Sequence, residues 1–253
     1  MTMRRSILFL VSLIFCFASA VAQDVAYLVR EADALEKSFK EEDALKKVQE
    51  ALKLSPNDLA ALSKASILSS QVGNRQKDDK RKTEYFTAAK TYAQSALAVD
   101  PKDAMANFAM GLAMGRMALI SSGKEKVQSV RDIKKYAEAA LAAKPDFARA
   151  QHLLGKWHFE VTSLNFVEKG LVKVIFGGLP DASMAQAIQW YEKARAVDPG
   201  FVLNYLELAR AYKENGQSDK AIDILNRLAK LPPKTQDDAG YKAEGKKMLE
   251  GLL

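Results

Sequence analysis

Two histidines, His152 and His158, and a recurring set of cations among apolar residues are the side chains here best suited to chemistry. The histidines stand six residues apart, so one helix aims them in different directions and they cannot close on a single metal ion. Each is expected to pack or to face a groove. The only cysteine, Cys16, lies in an apolar N-terminal run, which leaves the rest of the chain without disulfides or thiolate metal sites. Gly123-Lys124 lacks the upstream glycine and the following hydroxyl residue of a phosphate loop. No Gly-x-Ser-x-Gly turn occurs. Glu41-Glu42 and Asp237-Asp238 fall at expected helix starts, where carboxylates favour the helix dipole. No catalytic residue, metal ligand or cofactor site is expected, and the chain reads as a non-enzyme.

What remains is binding. The candidate groove residues are Met105, Phe108, Leu112 and Arg116, then Arg149, His152, Lys156 and Phe159, then Leu206, Arg210 and Lys213. They mix apolar and basic character, which suits an amphipathic peptide or, alternatively, an apolar chain with an anionic head. Met105, Met110, Met114 and Met117 crowd one stretch, and methionine surfaces adapt to varied ligands. Arg75, Lys77, Lys80, Arg81 and Lys82 are interleaved with Asp78 and Asp79 and have no stacking aromatics nearby. That run reads as a solvated face, and no nucleic-acid partner is expected.

These residues need helices to position them. The composition, 48% apolar and 27% charged, is that of a chain that buries a core, and 13 Gly with 7 Pro are few for a β-rich fold. Five segments repeat one pattern of small or apolar residues followed by proline. They are Ala44, Val48, Ala51, Pro56; Ala89, Ala93, Ala96, Pro101; Ile133, Ala137, Ala140, Pro145; Ala187, Tyr191, Ala194, Pro199; and Ala221, Leu225, Leu228, Pro233. The spacing marks one face of a helix that proline then stops. A second helix precedes each, with a small residue at Ala32, Gly111, Gly155 or Ala209 where the pair must approach closely, and Ser66 in the second unit. Pro199 to Pro233 is 34 residues, the tetratricopeptide period. The expected fold is therefore all-α: a tetratricopeptide-type helical-hairpin solenoid with lengthened units and a C-terminal capping helix. Its units span about 25–58, 59–103, 104–147, 148–201 and 202–234, with the capping helix at about 236–252. Extra length in the middle units falls between first and second helices, along one edge. Residues 164–179 form the most apolar insertion and are expected to fold back on the solenoid, with a bilayer surface as the alternative.

The first 22 residues differ in kind. Arg4 and Arg5 precede an apolar run to Phe17, and Ala20-Val21-Ala22 offers a cleavage site, the pattern of a signal peptide. The expectation is a periplasmic or secreted chain, with an uncleaved N-terminal anchor as the alternative. Without Arg4 and Arg5 the 38 basic residues become 36 against 31 acidic, a mild excess that allows an anionic surface without demanding one.

The fourth unit carries a more specific signature. Its helix His152-Leu153-Leu154-Gly155-Lys156-Trp157-His158-Phe159 leads through the apolar insertion to Phe176-Gly177-Gly178-Leu179-Pro180 and then to Asp198-Pro199-Gly200-Phe201. This resembles the regulator of microtubule dynamics family, well over residues 100 to 253 and loosely before, with Lys156 where an arginine is expected. The resemblance implies a helical scaffold that acts by binding. Export would separate the chain from cytosolic microtubules, so the expected role is a cell-envelope module holding a protein or peptide, with a phospholipid or other anionic amphiphile as the alternative. The Lys-and-Asn clamp by which some tetratricopeptide units hold a peptide carboxylate is absent at the corresponding positions.

Overall fold

A computed structural model describes residues 23–253; the expected signal segment, 1–22, lies outside the described residues. The described residues form helices and no strands. In chain order these are α1 (23–37), α2 (Glu41–Leu54), α3 (Leu59–Arg75), α4 (Asp79–Val99), α5 (Ala104–Ile120) and α6 (Gly123–Ala143). They continue with α7 (Ala148–Ser163), α8 (Phe166–Phe176), α9 (Met184–Val197), α10 (Val202–Glu214), α11 (Ser218–Lys230) and α12 (Asp238–Glu250).

Proline sets the frame. Helices α2, α4, α6 and α9 end at the extended or near-extended residues Ser55, Asp100, Lys144 and Asp198. The next residue in each case is proline, which cannot continue the helix. Two positions on, Asp58 and Asp103 restart it by accepting the backbone N–H of Ala61 (2.8 Å) and Ala106 (2.7 Å). Each such cap stabilises a helix by about 1 kcal/mol. The same position holds Phe147 before α7 and Phe201 before α10, which give no side-chain cap. They pack instead, Phe147 against Phe108 at 5.1 Å between ring centres and Phe201 against His152 at 4.8 Å.

The proline-ended stripes become the core. All their stripe residues are buried except Ile133, which is half-buried. Of the small residues of the first helices, Gly155 acts as expected against its partner helix, whereas Gly111 meets the next hairpin first. A Cβ on Gly155 would stand 2.7 Å from the Tyr191 ring of α9, and one on Gly111 would stand 2.9 Å from Leu153 of α7. Each first helix packs on both helices of the preceding hairpin, α5 on α4 and α3, α7 on α6 and α5, α10 on α9 and α7. The result is a helical-hairpin solenoid.

Two elements depart from simple repetition. In the fourth unit the extra length forms the separate helix α8, whereas α4 and α6 absorb theirs by running to 21 residues. The C-terminal helix α12 packs on α10 and α11, with Gly245 against Leu228. Its start differs from a true capping box. Asp238 accepts the Thr235 N–H (2.9 Å) and hydroxyl (2.7 Å), but Asp237 holds the N-cap position without a side-chain bond.

Candidate functional site

The first helices α1, α3, α5, α7 and α10 form one continuous face, and its two halves differ. The N-terminal half is open. There a trough of about 580 Å³ lies between Glu36 of α1, Leu59, Ser63, Lys64 and Ile67 of α3, Met105 of α5 and Arg149 of α7. The helix-starting carboxylates Asp58 and Asp103 complete its lining. Lys64 donates to Glu36 and lies 2.7 Å from Asp33. Burial works against the Lys64 charge, yet these two carboxylates outweigh it and hold its pKa above the usual lysine value. Three lining acids therefore face two cations, one already paired. The floor is apolar, from Leu59, Ile67 and the exposed Met105.

The C-terminal half is filled by the protein's own charges. Glu207 of α10, only 4% exposed, accepts Lys156 of α7 at 3.0 Å and Arg210 at 2.7 Å. Lys156 also meets Glu160 at 2.8 Å, and Arg210 meets Glu244 of α12. Burial opposes both cations, but the carboxylates raise both pKa values. Beside them His152 bonds Asn204 at 3.0 Å, and Asn204 donates to the Tyr191 carbonyl at 2.9 Å. Burial depresses the His152 pKa, so a neutral ring fits this packing. The first turn of α12 then reaches back towards the second hairpin, where Asp237 pairs with Arg75 at 3.1 Å. Arg75 pairs in turn with the buried Glu41 at 2.8 Å. Arg116 bonds Asn74 at 3.0 Å and lies within electrostatic reach of Tyr241 and Asp237.

The structure divides the nominated groove residues. Met105 and Arg149 line the open trough. Phe108 and Leu206 are buried in the core, so neither can meet a guest; Phe147 covers the first, and the second packs among α10 and α11 side chains. Leu112 is half-buried against the same cluster as Phe108. Arg116, His152, Lys156 and Arg210 are half-buried and bonded internally, and Phe159 lies under the Lys156 ammonium at 5.5 Å. Lys213 is exposed. Sequence reasoning missed Lys64, Asp58, Asp103 and Glu207. The signals were present: Asp58 and Asp103 follow proline by two residues, as helix starters do, and Glu207 precedes Arg210 by three, the spacing of a helical ion pair. Among the described residues no group of three or more His, Cys, Asp or Glu side chains could hold a metal ion.

The family model of regulator of microtubule dynamics proteins 1–3 matches residues 28–253. The chain belongs to this family. The match takes in the N-terminal hairpin, where the sequence signature was loose. Regulator of microtubule dynamics protein 3 of Rattus norvegicus is 25% identical over 234 residues, covering 89% of this chain and 49% of the relative. Protein 1 of Mus musculus is 24% identical over 192 residues, covering 76% of this chain and 62% of the relative. The chain thus spans about half the length of the rat relative. Among solved structures, a thermophilic tetratricopeptide-repeat protein of Thermus thermophilus superposes with a TM-score of 0.64 at 16% identity, covering 88% of this chain and 99% of that one. The Pseudomonas aeruginosa pilF structure superposes with a TM-score of 0.56 at 13% identity, covering 92% and 93%. At those identities the likeness is one of fold.

Fold and family together make the described chain a helical-hairpin solenoid of the regulator of microtubule dynamics family. They also correct the expected location. The family and the relatives that match are regulators of microtubule dynamics from animals, which overturns both the periplasmic or secreted reading and its N-terminally anchored alternative. A basic, apolar, small-residue pattern records hydrophobicity over 1–22 and does not by itself name a compartment. No described helix is long and apolar enough to cross a membrane.

Proposed function

We propose that this family member is a non-enzymatic scaffold that seats a protein or peptide segment in the open, N-terminal half of its first-helix face. One observation carries the reading: an apolar floor at Leu59, Ile67 and Met105 ringed by Glu36, Asp58 and Asp103 against Lys64 and Arg149. Solenoids use such faces for extended partners. The acidic excess favours a segment with an apolar anchor flanked by basic residues, and Met105 is a side chain that adapts to several anchor shapes. The basic groove expected from Lys156 and Arg210 does not contribute, because Glu207, with Glu160 and Glu244, neutralises both. That pairing also removes the support for an anionic amphiphile in this groove.

A peptide-library selection on the purified full chain tests the proposal. Basic–apolar segments should be enriched, and Met105→Arg should weaken them at least about tenfold, roughly 1.4 kcal/mol. Enrichment of acidic segments, or equal binding by the variant, would sink it.

A further inference from the structure

Helix α8 leaves its apolar side uncovered. Phe166 is 90% exposed, Val174 85% and Val167 74%, and Leu171 and Ile175 are more than half exposed. At about 100° per residue these five side chains sweep roughly half of the helix circumference. Lys169 falls on the other half, with Lys173 and Glu168 at its two borders. Among the described residues Val172 is the one large apolar side chain of α8 that is half-buried, on the side away from the exposed arc.

The helix holds this attitude through polar bonds at its ends. Asn165 and Glu168 form a reciprocal capping box, each bond 2.9 Å. Lys169 donates to the Thr162 carbonyl at 2.8 Å. At the far end Gly177, at φ 74°, turns the chain, and Arg131 of α6 donates from Nε to the Gly178 carbonyl at 3.2 Å. Contact with the solenoid is sparse, through α6 and through the Lys169 bond to the end of α7. A free-standing helix of 11 residues is marginal in water unless its apolar face finds cover.

We infer that α8 is a membrane-docking helix that lies in the surface of a bilayer bearing anionic headgroups. Its length of about 16 Å is half of the roughly 30 Å needed to span, so it lies flat. An apolar arc of about 180° is wider than the stripe a helix gives to one partner groove and matches a planar medium. Lys173, at the edge of the apolar arc, can snorkel to headgroups. The solenoid edge that carries the other first-to-second-helix turns adds exposed Lys77, Lys80, Arg81, Lys124 and Lys126 against Asp78, Asp79 and Glu125. That basic balance complements an anionic surface. This surface is separate from the peptide trough and does not rest on it.

The test places an environment-sensitive fluorophore at position 174 of the full chain, through Val174→Cys with Cys16→Ser, and adds phosphatidylcholine vesicles with or without about one-third phosphatidylserine. The probe should shift to the blue with anionic vesicles only, while a probe at Met105→Cys stays unchanged. Leu171→Glu in the same chain should cut the bound fraction at least about tenfold with an unchanged melting temperature, since Leu171 is already exposed. The N-terminal segment is common to all these chains, so it cannot produce the difference. An unshifted probe, equal response to both vesicles, or equal binding by Leu171→Glu overturns the inference. So does a self-association that Leu171→Glu abolishes without vesicles, which would assign the face to a second copy.

Discussion

The two halves of the first-helix face are built from the same kind of helix, yet one is a trough and the other is occupied. In the N-terminal half Lys64 is held by Asp33 and Glu36 of α1, Asp58 and Asp103 by the first turns of their own helices, and Met105 stands open above them. In the C-terminal half Glu207 draws Lys156 and Arg210 together, and α12 adds Glu244 and Asp237. Charge type alone does not mark a binding surface. A cation is available to a guest only where the fold has not already given it a carboxylate.

Removing the carboxylate at the centre should break this contrast most strongly. Glu207→Ala leaves Lys156 and Arg210 without their shared partner, and loss of one member of a buried pair destabilises by roughly 3 kcal/mol at the lower end of the known range. The lower end applies because both cations keep about a third of their side-chain exposure. Urea unfolding should show the loss. A variant as stable as the wild type would mean that the two halves are energetically alike. Glu207→Gln should recover part of the loss by accepting hydrogen bonds.

Arg75→Ala probes the link by which the start of α12 ties back to α2 and α3. It strands the buried Glu41 and frees Asp237 at the start of α12, and an effect of about 2 kcal/mol is expected. Amide exchange should quicken in the first turn of α12 while α10 and α11 keep their protection. Uniform quickening would show that α12 is not a separately held element.

Much of the fold was legible because its determinants are local. Proline after each second helix, the small-residue stripe and Gly155 are visible within a few residues of the contacts they enforce. The site was less legible because its decisive contacts are not local. Lys156 finds Glu207 51 positions away, and Arg75 finds Asp237 162 positions away. Phe108 and Met105 show the same limit on one helix. Three residues apart, they look equally placed, but Phe147 from the next turn covers one and leaves the other 41% exposed. Residues 164–179 were expected to fold back on the solenoid; α8 instead turns five large apolar side chains outward, its ends tied to α7 and α6 by polar bonds that its hydropathy does not foretell.

The pH dependence of stability sharpens the contrast further, since the described histidines lie in the C-terminal part of the solenoid. Burial lowers the His152 pKa, against Asn204 and Glu207 which raise it and Lys156 which lowers it. His158 is lowered too, by burial and by Lys134, with Glu138 opposing. A histidine with a depressed folded pKa takes up its proton more readily when unfolded. Its stabilising contribution is whole above the ordinary value of 6.5 and is lost as pH falls below it. The unfolding free energy should drop between pH 7.5 and 5.5 by up to about 1 kcal/mol for each histidine. His152→Phe should flatten that slope. An unaltered slope would remove His152 from the account.

The smallest effect on stability is expected in the open half, and its smallness is the point. Met105 is 41% exposed above the trough and gives its side chain to no buried cluster, so Met105→Arg should change the unfolding free energy by less than about 0.5 kcal/mol. Phe108, one turn further along the helix, is 5% exposed, and Phe108→Ala should remove at least about 3 kcal/mol. Equal losses at the two positions would place Met105 in the core and close the trough. Unequal losses, with the guest lost only at Met105, would separate the residues that hold this solenoid together from those it offers to a partner.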